Sequence, residues 1–470
     1  MSTINYKKAS TYYLAGSFFN KGIAFLTIPI FTRILSTYDY GVVTTYNSWV
    51  AMISMVIGFA LHTGIRVAYV DFKDEFDEYT ATTITFTVFV SAIITALVVG
   101  ITKIFSININ ITLIILCMLQ SFSTAVLQDY SYYLMMQYQY KFRTTLMILP
   151  NLVSVFFSVL AIIFIVKSDA YMGRIVPTAI INFGFGILIV ILVSLKGKSL
   201  FRMKYLKYGL AISTPLIVHG IALNILSQSD MTMITMLSGA SQTGIYSLIY
   251  NFGMLASVVT SSLEGVWVPW FFQHLKEKEY KKIEKVAVDY INLMTYVMGC
   301  LILVAPEIVK LLADKSYWSG ISIIPPIVLA NYVIFIYTLY VNIEHFHKKT
   351  IYITFNTLIA AGANIILNFI FIPKHSYIAA SYTTLASYLV SFVLHSRYAK
   401  KLEPTLYPLS TFLRPTIHLL VLVLVFYVFV DQWFIRWGLM VLYFAVMLVR
   451  EHKRIFDFFP EIEQKLLKKK

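Results

Sequence analysis

What most limits the folds open to this chain is a succession of apolar runs, each long enough to cross a lipid bilayer. A membrane-spanning helix needs about 20 predominantly apolar residues. Fourteen such segments follow one another, at roughly 12–33, 43–66, 80–103, 111–135, 145–166, 174–195, 208–229, 244–271, 286–311, 320–343, 350–373, 376–397, 412–430 and 432–450. Composition agrees: 58% of residues are apolar and 13% charged, where soluble domains run at about 45–50% and about 25%. That balance excludes a soluble globular enzyme, and the wealth of aromatic and β-branched residues excludes disorder. The expected fold is an all-α polytopic membrane protein of about 14 helices.

Charge sets the orientation. The chain carries 38 Lys and Arg against 23 Asp and Glu, a net +15. With the N-terminus inside, 29 of the 38 fall in cytoplasmic stretches. Eight fall in outer loops: Arg33, Lys103, Lys167, Arg174, Lys310, Lys315, Lys374 and Arg436. The last, Lys21, lies within a span. This asymmetry obeys the positive-inside rule and places both termini in the cytoplasm. The basic surplus is then topology charge, and no nucleic-acid partner is expected. Cys117 and Cys300 sit in apolar runs, which leaves neither a disulfide framework nor a CxxC metal site. The first apolar run contains Asn20 and Lys21 and lacks a small-residue cleavage site, so it is expected to stay as a span.

The connections are short. The longest inner ones, near 196–207 and 273–285, are basic with a helical pattern and are expected to lie on the anionic leaflet. No outer loop exceeds about fifteen residues, too little for the catalytic loop of a membrane-embedded glycan polymerase or ligase. Gly197-Lys198-Ser199 has Leu192 where a phosphate loop needs its first glycine, and no HExxH occurs. ATP hydrolysis and zinc chemistry are not expected, and the chain does not read as an enzyme.

Two hairpins suggest an internal repeat. Span one runs into span two through Arg33 to Gly41, and span seven runs into span eight through Met236 to Gly244. Each places a glycine at the start of the return helix, which suits a carrier of two six-span halves. At these hairpins the sequence resembles the Wzx-type polysaccharide flippases of the MATE/MOP exporter superfamily. The resemblance rests on Thr32-Arg33-Ile-Leu with Asp39-Tyr40-Gly41-Val42, on Gly58 through Gly64-Ile-Arg66, and on Asp230 followed by Gly244-Ile-Tyr246-Ser247. It continues through Asn364-Ile-Ile-Leu-Asn368 to Pro373-Lys374 and Tyr377-Ile-Ala379-Ala380. Family members usually carry a glycine after that proline, where this chain has His375-Ser376. The resemblance implies a V-shaped pair of lobes around a central cavity, with residues 1–200 and 201–402 as the lobes. Residues 403–470 would supply two further helices and a basic cytoplasmic tail, by likeness to the related lipid II flippase MurJ.

The function it implies is translocation of undecaprenyl-pyrophosphate-linked oligosaccharide across the bacterial cytoplasmic (inner) membrane. That step serves O-antigen or capsule biosynthesis, with membrane lipids around it and a polysaccharide polymerase and chain-length regulator as partners. No cofactor is expected beyond a coupling Na+ or H+. A multidrug or cation antiporter of the same fold remains the alternative.

Ionisable groups within hydrocarbon are costly and normally face protein or a watery cavity. Span one carries Asn20 and Lys21 near mid-depth. Span two repeats Ser54, Gly58, His62 and Arg66 every four residues, a stripe expected on one helix face. Span seven, interrupted by Pro215 and Gly220, holds His219, Asn224, Gln228 and Asp230. Lys21, Asn20, Arg66, His62, Asn224 and Gln228 are the expected substrate-binding residues, the cations serving pyrophosphate. Asp230, Glu264 and His219 are expected to couple or gate. Asn356, Asn364 and Asn368 form one face of span eleven and are expected to act as interhelical packing.

Overall fold

The computed structural model describes residues 22–458 apart from 24, 106–109, 167, 198 and 254. Among these residues there is no β-strand. The helices are α1 (Phe25–Ile34), α2 (Thr37–Gly58), α3 (Leu61–Asp71), α4 (Phe76–Ile104), α5 (Ile111–Met136), α6 (Tyr140–Leu160), α7 (Ala170–Lys196) and α8 (Met203–Ser238). They continue as α9 (Ala240–Gly253), α10 (Leu255–Lys276), α11 (Tyr280–Leu312), α12 (Ile324–Phe346), α13 (Thr350–Leu402), α14 (Ser410–Val428) and α15 (Trp433–Phe458). Ten described helices are long and apolar enough to cross a membrane, eleven with the bent α8. The 53-residue α13 holds two of the expected spans, meeting at the non-helical Ser376. Phe25–Ile34 and Trp433–Val449 are shorter apolar helices. The chain is a multi-pass membrane protein, with ten or eleven candidate spans among the described residues by length and apolarity.

Leu195, Ile351 and Ile104 are each more than three-quarters exposed. Such side chains are at home against lipid tails, where a helix satisfies its own backbone polar groups. Inward-facing surfaces use small and hydroxylated residues, as expected where close packing rather than water exclusion holds helices together.

The residues form two compact units. The first comprises Met1–Ser247 with Thr357–Ala380, the second Leu248–Asn356 with Ser381–Lys470. In the first unit, Ser36 and Asp39 form a reciprocal capping box that starts α2, and Asp39 also accepts from the Tyr171 backbone at 3.1 Å. Tyr79, Tyr130 and Tyr133 pack with Ile65, Phe76 and Val126 in an aromatic core. Arg202 closes that end by an ion pair to Glu78 at 2.9 Å.

In the second unit, α11 buries Ile291, Met294, Met298, Ile302 and Leu303 completely. The fully buried Arg436 of α15 grips Glu307 of α11 through both terminal nitrogens and donates to the Leu303 carbonyl at 2.7 Å. Its position near an apolar boundary suggested an outer-loop charge; the ion pair places it inside the protein.

One further expectation changes. The four-residue stripe of span two is not continuous, because Phe59 and Ala60 adopt left-handed φ of 47° and 49° and end α2 before α3 begins. Within 273–285, α10 runs to Lys276 and α11 starts at Tyr280. The link at 196–207 is likewise the end of α7 and the start of α8. By contrast, α8 bends by 49° at residues 215–216, where Pro215 interrupts the sequence.

Candidate functional site

The two hairpin glycines meet. A Cβ on Gly41 would lie 1.8 Å from the Ala240 carbonyl oxygen, and one on Gly244 would lie 2.0 Å from that of Thr37. Only glycine lets the two backbones approach this closely. From this contact a polar ladder runs along α2 and α8 within the first unit. Thr45 and Thr235 hydroxyls are 2.6 Å apart, Ser48 donates to Gln228 at 3.3 Å, and Trp49 Nε1 donates to Thr232 at 3.1 Å. Asn224 follows, donating to Met55 Sδ at 3.1 Å and to the Gly220 carbonyl at 3.0 Å. Two of the expected substrate residues, Asn224 and Gln228, therefore lie in this seam with protein partners. His219 sits half-buried one turn beyond the bend of α8.

Asp230, 1% exposed, anchors a second cluster. Its carboxylate accepts from Tyr246 Oη at 2.7 Å and from Asn368 Nδ2 at 2.7 Å. Asn368 also donates to Asn364 Oδ1 at 3.1 Å, and Ser229 donates to the same oxygen at 3.0 Å. Asn364 and Asn368 are fully buried, and Asn364 Nδ2 has no hydrogen-bond partner among the described residues. Two of the three asparagines expected to be packing on α13, Asn364 and Asn368, thus join the acidic residue expected to couple, and Asn356 is not part of this cluster. Carboxylate, amide carbonyl and hydroxyl oxygens are the ligand types of hard cations.

On α3, the His62 ring stacks on Tyr132 with centroids 5.1 Å apart, and the exposed Arg66 guanidinium lies 4.3 Å above the same ring. The aromatic face holds a cation in place while its N–H groups remain available. In the second unit, Glu264 of α10 is half-buried beside a cavity of about 10 Å³ lined by Trp267, Tyr290, Thr338 and Asn342. Among the described residues it has no ion-pair partner. The tryptophans at 267 and 270 stack with Phe271 and His274, a packing role. Asn20 and Lys21 lie outside the described residues.

The polysaccharide biosynthesis protein family matches residues 7–275, more than half of the chain. No curated protein matches. Among solved structures, the chain is similar to the lipid II flippase MurJ in an inward closed conformation, with a TM-score of 0.70 at 15% identity, covering 94% of this chain and 99% of that one. An inward-facing multidrug resistance MATE transporter of the MOP superfamily gives 0.57 at 13% identity, covering 82% and 96%. A Vibrio cholerae MATE transporter gives 0.53 at 13%, covering 84% and 96%. At these identities the likeness establishes the fold. The chain therefore belongs to the polysaccharide biosynthesis protein family and takes the fold of the MOP-superfamily flippases and exporters.

Proposed function

We propose that this protein flips undecaprenyl-pyrophosphate-linked oligosaccharide from the cytoplasmic to the outer face of the bacterial cytoplasmic membrane by alternating access. The observation that carries the reading is a match to a polysaccharide biosynthesis family across residues 7–275 in a chain built of membrane helices. A glycan and its pyrophosphate cannot cross hydrocarbon unaided, since each unpaired polar group costs several kcal/mol. A carrier must supply a hydrated cationic path that opens to one side at a time. Arg66, held over Tyr132, offers bidentate donors to phosphate, and Lys21 offers a point charge. A Lys and an Arg in these positions favour an anionic cargo over the cationic drugs of the same-fold antiporters.

The Asp230 cluster is the proposed seat of the coupling ion. Asp230, Asn364, Asn368 and Ser229 would hold Na+ through oxygen, or Asp230 alone would hold a proton. The bound cation supplies neutralisation of a buried charge. The protein's own part is to tie α8 to α13 through that carboxylate. Product leaving on the outer face would pass to a polymerase and chain-length regulator.

Deleting the gene and mapping lipid-linked repeat units by leaflet tests the reading. Accumulation on the cytoplasmic leaflet supports it. Accumulation on the outer leaflet assigns the protein a later step and rejects flipping.

A further inference from the structure

We propose that the turn between α10 and α11 binds a divalent transition-metal ion through His274, Glu277 and Glu279. One imidazole nitrogen and one oxygen from each carboxylate lie within 4.8 Å of one another. All three residues belong to the second unit. The proposal is independent of the cargo and of the coupling ion.

The backbone that ends α10 brings these side chains together. Lys278 takes a left-handed φ of 58°. Its amide donates to the Leu275 carbonyl at 3.1 Å, and the Glu279 amide donates to the His274 carbonyl at 3.0 Å. These two bonds form a Schellman motif, in which the first and last residues, here His274 and Glu279, stand side by side. The same motif ends α5 with Leu134 and Gln139, and α12 with Glu344 and Lys349. Those turns pair a leucine with an amide and a carboxylate with an ammonium group. At α10 the motif pairs an imidazole with a carboxylate, and Glu277 adds a second carboxylate from within the turn.

The imidazole gives the cluster its direction. His274 is 8% exposed, and its ring stacks on that of Trp270 with centroids 4.1 Å apart. Its Nδ1 lies 2.8 Å from the Trp270 carbonyl oxygen. A carbonyl only accepts, so Nδ1 carries the proton and Nε2 of the neutral ring presents a lone pair. That lone pair faces another acceptor, Glu279 Oε2 at 3.4 Å. Two acceptors held this close require a positive charge between them, from a proton on Nε2 or from a metal ion. A proton would serve His274 and Glu279 alone, whereas a metal ion also draws on Glu277. A histidine whose other nitrogen is fixed by a backbone carbonyl is the usual form of a metal-ligating histidine.

The donor set indicates the class of ion. One nitrogen and two carboxylate oxygens suit Zn²⁺ and its first-row neighbours, whereas Mg²⁺ and Ca²⁺ are held through oxygen. Zinc takes such ligands at about 2.0–2.2 Å, so any two of them sit at most about 4.4 Å apart. A small rotation of the solvent-facing carboxylates closes that gap. Two exposed neighbours compete for the same oxygens and must yield to the ion. Lys282 Nζ lies 3.1 Å from Glu279 Oε2, and Gln273 donates to Glu277 at 3.3 Å.

Calorimetric titration of the full-length protein, purified without a histidine tag and stripped with chelator, tests the site. One equivalent of Zn²⁺ should bind, and Mg²⁺ at the same concentration should not. His274→Ala and the double variant Glu277→Gln/Glu279→Gln should each weaken zinc binding by about tenfold or more, no less than loss of an outer-shell partner brings. Lys282→Gln should tighten it by removing the ammonium group that competes for Glu279. Co²⁺ should quench tryptophan fluorescence, and part of that quenching should vanish in Trp270→Phe, whose ring lies on His274 in the native protein. Zinc binding that is unchanged in both ligand-deleted proteins overturns the proposal, since it then reflects an adventitious ion only. Absence of zinc binding overturns it too, as does weaker binding in Lys282→Gln. If His274→Ala fails to insert, the double variant, altered only at solvent-facing carboxylates, decides the matter.

Discussion

Substituting alanine for Gly244 should pry open the contact between the two hairpins. The added Cβ would sit 2.0 Å from the Thr37 carbonyl oxygen, and real Cβ atoms essentially never come within 3.0 Å of such an atom. The opposing group is backbone, so no rotamer change relieves the clash. The two helix starts must separate by about 1 Å, the difference between those distances. Overpacking of this kind costs about 1–3 kcal/mol. The displacement also strains the Thr45–Thr235 and Thr44–Ser247 hydrogen bonds, at 2.6 and 3.1 Å, each worth about 0.5–1.5 kcal/mol net. A shift of about 2–6 kcal/mol against the joined arrangement changes its population by about thirtyfold or more. The readout is labelling of Thr45→Cys, buried in the joined state, by a membrane-impermeant thiol reagent added from outside. Cys117 and Cys300 are replaced first. Gly244→Ala should raise the labelling rate at least tenfold over the Gly244 background. Equal rates, in protein of equal thermal stability, would refute the steric reasoning.

Three further outcomes are expected. Ser376 occupies φ 55° and ψ −143°, a region that suits glycine. Ser376→Gly should relieve strain of about 1–3 kcal/mol, less the extra entropy of glycine, and raise Tm in detergent by about 1–2 °C; a lower Tm contradicts this. Arg436→Ala leaves Glu307 without its ion-pair partner inside the second unit, with only the Trp437 indole still donating to it, and should cost about 3–5 kcal/mol. Adding Glu307→Gln should recover part of that loss, and two simply additive losses on thermal denaturation would show the pair is uncoupled. Asp230→Asn should reduce gradient-driven transport while leaving cargo binding largely intact, with Glu264→Gln as the parallel test in the second unit. Normal ion dependence in both proteins removes these carboxylates from coupling.

How much of this could be read in the sequence depended on the kind of signal. Apolar runs are local and long, so the spans emerged from hydropathy, and Pro215 marked the bend of α8. The glycines at 41 and 244 were visible as a repeated hairpin feature, though nothing in the sequence said that they touch. Asp230 stood out as an acid within a span. Its partners did not, because Asn364 and Asn368 lie more than 130 residues away and their spacing alone fits ordinary packing. The break of span two was hidden for a different reason: Phe59 and Ala60 are not residues that usually adopt left-handed backbone, and an uninterrupted four-residue period predicted one helix. Arg436 looked like a loop charge because its partner Glu307 is remote in sequence.

The central claim is that the protein moves a lipid-linked glycan between leaflets. Proteoliposomes holding the purified protein and an undecaprenyl-pyrophosphate-linked oligosaccharide in both leaflets test it directly. A glycosidase added outside reads how much glycan is exposed. Protein-free vesicles should expose only the outer-leaflet pool, whereas vesicles with the protein should give up nearly the whole pool as inner-leaflet lipid is delivered outward. An accessible fraction that stays at the protein-free level, with correctly folded protein in the vesicles, would contradict the account.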